Sequence, residues 1–506
     1  MTLTTTDPRT GITTDAGVEP TSPDEVAAIT RAAHEAFLVL RARPRAWRAS
    51  MLRACADALE ERRADLMRVA GAETGLGAPR LEGELTRTTT QLRMFADAVE
   101  EGSYLEAAID HAGPTPMGPG PEIRRMLVPL GPVAVFGSSN FPFAFSVPGG
   151  DTASALAAGN PVVAKAHSSH PGTSALAFEA LAAGVAAVGG PVGTVGIVYG
   201  QPAGTALVAD PRITAVGFTG SLTTGRILLD VIEGRERPIP FYGELASVNP
   251  LVVTPGAVAA RGAAIAEGLF ASVTGSAGQL CTKPGIAFVP AGAEGDAVVD
   301  AVVALARDAA AQPLLNGRIH ASFDEIRARL VEEGAARELV APVAADEGFG
   351  MSPAVLEIDA PAVTPAATEE AFGPLVMLVR YRELVEVTAA LDAVPDSLTA
   401  TLHVEDAEVD ALAGFATDLA DRAGRLVVNG YPTGVRVSWA QHHGGPWPAT
   451  NTLHTSVGMT AIRRFLRPFA WQDAPEALLP VEVRDADAGI PRRIDGVLTL
   501  PSTLSA

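Results

Sequence analysis

The sequence predicts an α/β protein built from two Rossmann-like domains, and three observations carry that reading. From Pro132 onward, short β-branched runs (PVAVFG, PVVAKA, VGTVGIVYG, AVGFTG) alternate with alanine-rich helical stretches, the mark of a parallel sheet covered by helices on both faces. The alternation restarts near Asn249 with PLVVT, a helical segment over 258–272 and the run GIAFVP, so two such units meet near residue 247. A chain of 506 residues also exceeds one hydrophobic core, and at roughly 150 residues per domain two or three domains are expected.

Residues 1–21 are polar, rich in Thr, Gly and Pro, and without periodicity, which predicts a loosely held, flexible leader. Ser22, Pro23 and Glu25 then supply an N-cap, a first-turn proline and a capping-box acid, followed by apolar residues at helical spacing through Leu38. Two further helical patterns, 46–71 and 80–102, complete a helical layer that stops at the Gly/Pro-rich HAGPTPMGPGPE. After the two α/β units, the closing segment 480–506 carries the alternating GVLTL, which suits an edge strand added to another subunit's sheet.

Composition narrows the function. Charged residues make up 19 % and hydrophobic residues 47 %, an ordinary globular balance that excludes disorder. The net charge of −20 repels phosphate backbones and anionic lipid, so neither nucleic acid nor a membrane is an expected partner. No run of 18 or more apolar residues and no basic, apolar start is present, which predicts a cytoplasmic protein. Cys55 and Cys281 cannot supply a disulfide framework or a four-thiolate zinc site, and no metal is expected. The chain has 36 arginines but two lysines, Lys165 and Lys283. Either these are chance survivors of a bias against lysine, or their compact ammonium cannot be replaced by a planar guanidinium.

Open α/β sheets bind ligands at the carboxyl ends of their strands, so the residues that close each strand are the first candidates. Lys165 closes PVVAKA. In GFTGSLTTG, Gly220 and Ser221 sit at a strand-to-helix turn, which is either a structural turn or a pyrophosphate site made of free amides and a helix dipole. Neither GxGxxG nor GxxxxGK is present. Cys281 lies in SVTGSAGQLCTKPG, where small neighbours allow close approach of a substrate. A free thiol with pKa about 8.5 needs nearby amides or a cation to act as a nucleophile, and Lys283 is two residues away. Cys55, at helical spacing in RACADALEERR, reads as a buried structural residue. Glu244, in PFYGELASVNP, is either a hydrogen-bonded structural acid or a general base whose pKa partial burial would raise. Asn140, after VAVFG in FGSSNFPFAF, is either a turn residue or an amide directed at an oxyanion.

Taken in order, SSNFPFAF, GFTGS, GELASVNP and GQLCTKPG resemble the aldehyde dehydrogenase superfamily, and EEAFGP and NGYPTG are similar to two further motifs of that family. The resemblance covers about 24–475. It implies a cofactor-binding domain over 22–113 and 131–246, a catalytic domain over 247–455, and a small β bridging or oligomerisation element from 114–130 and 480–506. It implies Cys281 as the nucleophile, Glu244 as the base that activates the hydrolytic water, and Asn140 with the Cys281 backbone N–H as the oxyanion hole. It further implies that Lys165 reaches the adenosine ribose, Ser221 with Gly220 the pyrophosphate, and Glu370 the nicotinamide ribose, with Phe372 packing nearby. Many relatives carry an acid three residues after the lysine, where this chain has Ser168 in KAHS. Without a carboxylate to repel a 2′-phosphate, NADP is the expected cofactor, with NAD as the alternative.

The strings FGSSNFPFAFSVPGGDTASALAAGNPVVAKAHSSHPGTS and HGGPWPATNTLHTSVG look most like the branch that oxidises 2,5-dioxopentanoate (α-ketoglutaric semialdehyde) to 2-oxoglutarate. Oxidation of a broad range of fatty or aromatic aldehydes is the alternative. Arg436, in YPTGVRV, is either a binder of a distal carboxylate or a surface arginine. The family also implies a homodimer or homotetramer. Three rivals make different demands. A CoA-acylating relative has no need of Glu244; a cofactor-free cysteine hydrolase needs a histidine partner, and His167 and His170 lie in the candidate cofactor loop; an inactive binding relative would lack Asn140, Glu244 or Cys281.

Overall fold

The computed structural model describes residues 2–502, so residue 1 of the expected leader and 503–506 of the expected bridging element lie outside the described residues. The first sheet has five parallel strands, β1 (Val133–Phe136), β2 (Val162–Lys165), β3 (Val195–Val198), β4 (Ala215–Thr219) and β5 (Phe241–Glu244), in the order β5-β4-β1-β2-β3. Strand periodicity of two sorts their side chains. Val133, Val135, Val162 and Ala164 pack under the helices Arg45–Glu61, Ala78–Glu101 and Pro171–Ala187, while Ala134, Phe136, Val163 and Val216 face Pro23–Leu40 and Leu222–Glu233. Every residue of β1 is buried, which is why the strand reads as a continuous apolar run.

The second sheet has seven strands: β6 (Pro250–Val253), β7 (Ile286–Pro290), β8 (Arg337–Val340), β9 (Ala354–Asp359), β10 (Leu375–Tyr381), β11 (Ser397–His403) and β12 (Ala423–Val428). They run in the order β8-β9-β10-β7-β6-β11-β12, all parallel except the edge pair β8–β9. The helix Pro255–Thr274 covers one face through Ile265, Ala266 and Leu269. Among the described residues, only the stretch Pro255–Gly278 is long and apolar enough to cross a membrane, and its Val258, Ile265, Leu269 and Val273 are buried against this sheet.

A third, small sheet joins Leu466–Gln472, Ile123–Pro129, Ala108–Asp110, Arg492–Ile494 and Val497–Thr499. It draws in 108–110 and 466–472, beyond the expected bridging boundaries, and the GVLTL strand pairs here with Arg492–Ile494 of its own chain. The stretch Met459–Phe465 returns to the first unit, burying Met459, Ile462 and Phe465 in its core.

The Ser22 capping box forms as expected: Ser22 Oγ accepts from the Glu25 N–H at 3.3 Å, and Glu25 accepts from the Ser22 N–H at 2.7 Å. Two expectations are corrected. The leader is not loosely held, because Thr4–Thr6 pairs antiparallel with Thr13–Asp15, and Pro8 O accepts from the Phe349 N–H at 2.8 Å; backbone pairing, which polar composition does not reveal, ties it down. The helix expected over 46–71 is two helices, Arg45–Glu61 and Arg63–Thr74, broken at Arg62 (φ −102, ψ 11), because the apolar spacing continues through a change of axis.

Candidate active site

The carboxyl edge of the first sheet faces the amino edge of the second, and the candidate residues line the seam. Asn140 follows β1, Lys165 ends β2, Gly220 and Ser221 follow β4 and Glu244 ends β5. Cys281 precedes β7, and Glu370 and Phe372 precede β10. The strand-end rule therefore located the site in the first unit alone. In the second unit the candidates sit before their strands, because that sheet presents its opposite edge to the crevice.

Cys281 is held by a loop of unusual backbone. Ser276, Ala277 and Gly278 are all left-handed (φ 53, 55 and 68), and a Cβ on Gly278 would lie 2.2 Å from Gly373 O. The small residues before Cys281 thus serve a tight turn and close approach to the EEAFGP loop. Asn249, itself left-handed at φ 58 and buried, donates from Nδ2 to Cys281 O at 2.8 Å and Lys283 O at 3.0 Å, pinning both sides of the turn. Lys283 does not assist the thiol, contrary to expectation. Its side chain points the other way, donating from Nζ to Ala371 O (3.0 Å) and Leu375 O (2.9 Å), and so fastens the Glu370 loop. Burial lowers the Lys283 ammonium to about 8.

Asn140 is buried, and its Nδ2 donates to Gln279 O at 2.8 Å, which leaves the second amide hydrogen for an oxyanion two residues from Cys281. The Cys281 backbone N–H has no acceptor among the described residues. The Asn140 loop is held from the helix Ala78–Glu101. Glu84 Oε1 accepts from the Phe143 and Ala144 N–H groups (2.7 and 2.8 Å), while its Oε2 pairs with Arg80 Nη1 at 2.6 Å. Arg80 in turn reaches Ser276 Oγ at 3.2 Å and Asn140 O at 3.4 Å, so one helix braces both halves of the site.

Glu244 is 2 % exposed and meets a residue that sequence reasoning missed. His443 Nε2 lies 3.0 Å from Glu244 Oε1 and 3.5 Å from Cys281 Sγ, and Ser456 Oγ donates to Glu244 Oε2 at 2.7 Å. These partners arrive because 443–457 runs along the edge of β5: Thr450 bridges Glu244, Leu245 N–H donates to Ala449 O, and Asn451 clasps the Gly243 N–H (2.8 Å) and Phe241 O (2.9 Å). The string HGGPWPATN carries this contact, yet nothing in its spacing announces a partner 199 residues away.

The Glu244 pKa expectation is also corrected. Burial pushes the carboxyl up, but the charge of His443 and the hydrogen bonds from His443, Ser456 and Cys281 outweigh it and hold Glu244 below the usual carboxylate range. Burial and then the Glu244 charge push the Cys281 thiol well above its ordinary value. The resting pair is therefore a thiol beside a carboxylate, with the proton acceptor already in place. A cysteine does have a histidine neighbour, but both of its contacts use Nε2, whereas a relay from cysteine through histidine to acid needs both ring nitrogens. The geometry is not that of a cysteine-hydrolase triad.

The remaining candidates divide. Ser221 caps the helix Leu222–Glu233, accepting from the Thr224 N–H at 3.3 Å. Lys165 has no hydrogen bond or ion pair among the described residues, and burial lowers its pKa. Ser168 is exposed, and the cations that act on neighbouring half-buried His167 are Lys165 and Arg318. Glu370 Oε2 accepts from the Ser247 N–H at 3.1 Å, and burial raises its carboxyl to about 7. Phe372 is half-buried against the second core. Arg436 is exposed, and Cys55 is fully buried, its thiol pushed up to about 12 by burial.

Residues 2–447 match the Aldehyde dehydrogenase family. The chain is 47 % identical over 474 residues to alpha-ketoglutaric semialdehyde dehydrogenase 2 of Azospirillum brasilense, covering 92 % of this chain and 90 % of that protein. It is 39 % identical over 485 residues to the alpha-ketoglutaric semialdehyde dehydrogenase of Acinetobacter baylyi, covering 94 % and 92 %. Its fold is that of methylmalonate-semialdehyde dehydrogenase from Oceanimonas doudoroffii, with TM-score 0.80 and 21 % identity over 94 % of this chain and 96 % of that one. A family match over most of the chain, on a seam that brings together thiol, carboxylate and amide, identifies this protein as a member of the aldehyde dehydrogenase family, which oxidises aldehydes with a nicotinamide cofactor.

Proposed function

We propose that the chain oxidises 2,5-dioxopentanoate to 2-oxoglutarate, with NADP as its preferred cofactor. The observation that carries the chemistry is the convergence of Cys281, Glu244 and Asn140, with the thiol and carboxylate joined through His443 Nε2. Cys281 Sγ bonds to the aldehyde carbon as its proton passes to the Glu244–His443 pair, and the carbonyl oxygen takes the Asn140 amide and the Cys281 N–H. When bound, the nicotinamide supplies the hydride acceptor. Once that first proton has passed to solvent, Glu244 takes a proton from water as it attacks the thioester, the C–S bond breaks, and Glu244 returns the proton to the leaving thiolate, so the acid departs with Cys281 restored. A retained base favours water over a thiol as the acyl acceptor.

The cofactor residues fit a dinucleotide: an unpaired ammonium at Lys165, a helix N-terminus at Gly220 and Ser221, and a carboxylate at Glu370. Lys165 and Arg318, whose charges act on His167 next to Ser168, support acceptance of a 2′-phosphate. On this reading 22–113 and 131–246 form the cofactor unit and 247–455 the catalytic unit, in a cytoplasmic enzyme. Exposed Phe469, Val497, Leu498 and Leu500 support the small sheet as the contact of a homodimer or homotetramer.

The test is formation of reduced nicotinamide from 2,5-dioxopentanoate, a long-chain aldehyde and benzaldehyde, with NADP and NAD, for native protein and Cys281→Ala. NADP reduction fastest with the dioxo acid and lost in Cys281→Ala is the expected result. A preference for an apolar aldehyde removes the substrate assignment, and activity surviving in Cys281→Ala removes the mechanism.

A further inference from the structure

One guanidinium in the seam has two buried nitrogens without a partner among the described residues. Arg87 lies on the helix Ala78–Glu101, one turn beyond Glu84, whose oxygens are already taken by the Phe143 and Ala144 amides and by Arg80. Its Nε and Nη2 are buried, and no acceptor among the described residues reaches them. The guanidinium lies over the ring of Phe145, 4.9 Å from Cζ to centroid, and Phe145 packs against His443 with centroids 6.1 Å apart. Arg87 is therefore two ring contacts from His443, which lies 3.5 Å from the Cys281 thiol, and its charge acts on both Cys281 and Glu244.

Such a placement is costly in the free protein. Guanidinium stays charged at any physiological pH, and a charge whose N–H groups are shut away from water without acceptors is destabilising. An aromatic face returns only part of that loss. What would satisfy Nε and Nη2 together is specific, because the two N–H groups point in parallel from one edge of the guanidinium and match the oxygens of a carboxylate. A neutral or apolar tail would leave both nitrogens unpaired. Shielding from bulk water makes the ion pair stronger than it would be at the surface, where Arg436 lies.

We propose that Arg87 is the substrate-specificity residue, receiving through Nε and Nη2 the carboxylate at the far end of an aldehyde whose reactive end is at Cys281. The inference rests on the proposed oxidation of an ω-oxo carboxylate and adds to it the residue that selects such a substrate.

Two readouts test it, using Arg87→Met, which keeps the length of the side chain, and Arg87→Lys, which keeps the charge without the fork. Calorimetric binding of 2-oxoglutarate to the purified full chain should be present in the native protein, weakened at least about tenfold in Arg87→Met, and partly retained in Arg87→Lys. In steady-state kinetics, kcat/KM for 2,5-dioxopentanoate should fall about a hundredfold in Arg87→Met, mainly through KM, while kcat/KM for pentanal holds or rises. Pentanal turnover also reports that the variant is folded. Equal 2-oxoglutarate affinity in native and Arg87→Met, no binding by the native protein, or parallel loss on both aldehydes would each overturn the proposal. Arg87-dependent 2-oxoglutarate binding by a protein that oxidises no aldehyde would instead overturn the functional reading alone.

Discussion

Replacing Glu84 by alanine isolates the contribution of the helical layer to catalysis. Glu84 is 3 % exposed and accepts three hydrogen bonds: two from backbone N–H groups at 2.7 and 2.8 Å and one from Arg80 at 2.6 Å. The Arg80 side chain is 25 % exposed and can recover water, so most of the loss lies with the two amides. Each buried N–H left without an acceptor costs ~1–3 kcal/mol, and the cavity adds to this, which gives a destabilisation of ~3–5 kcal/mol. Glu84→Gln keeps an amide oxygen for both N–H groups and loses only the ionic contact, which predicts ~1–2 kcal/mol. The Phe143–Ala144 peptide is three residues beyond Asn140, so the alanine variant should also lower kcat, by less than the ~100-fold expected for deleting an oxyanion donor outright. Denaturant midpoints and steady-state kinetics on the native, Gln and Ala proteins measure both effects. An alanine variant within ~0.5 kcal/mol of native, or a glutamine variant as damaged as alanine, would refute the argument.

Three further outcomes follow from the same geometry. Ligand atoms of Glu244, Cys281 and His443 lie within 4.8 Å of one another, so Zn²⁺ should inhibit the enzyme while chelators leave activity unchanged, and His443→Phe should relieve that inhibition in a metal titration. Burial holds Glu370 at about 7, above the ordinary 4.5; between those values the folded protein keeps a proton the unfolded chain has released, so stability should fall as pH rises through that window. Denaturation at a series of pH values should show that slope flattened in Glu370→Gln and unchanged in the exposed-site control Arg436→Gln. Lys283→Arg should cost ~1–3 kcal/mol in thermal or chemical denaturation, since a planar guanidinium does not fit the space of an ammonium held between Ala371 O and Leu375 O; a neutral effect would show that Lys283 survived by chance.

Much of this protein is legible in local sequence. Strands β1, β2, β4 and β7 announce themselves as apolar runs because both their faces are buried, and Ser22, Pro23 and Glu25 mark a helix start because capping uses neighbours three residues apart. Cys281, Glu244 and Asn140 are visible through their motifs, which encode a turn after a strand or a loop before one. The helix face Arg80, Glu84, Arg87 and Gln91 left a fainter trace, polar residues at helical spacing in positions facing the core, which could have been read as a site-lining stripe.

Taken by itself, then, the sequence determined where the chain changes from helix to strand, because that depends on short-range spacing, and its resemblance to a known family singled out Cys281, Glu244 and Asn140 as candidates. The fold alone decided that His443 stands between Cys281 and Glu244, that Glu244 is held low instead of raised, that Lys283 turns away from the thiol, and that Arg87 Nε and Nη2 find no acceptor among the described residues. Burial and charge act through space over a few ångströms, and two sheets meeting edge to edge place within that range residues that the chain holds hundreds of positions apart.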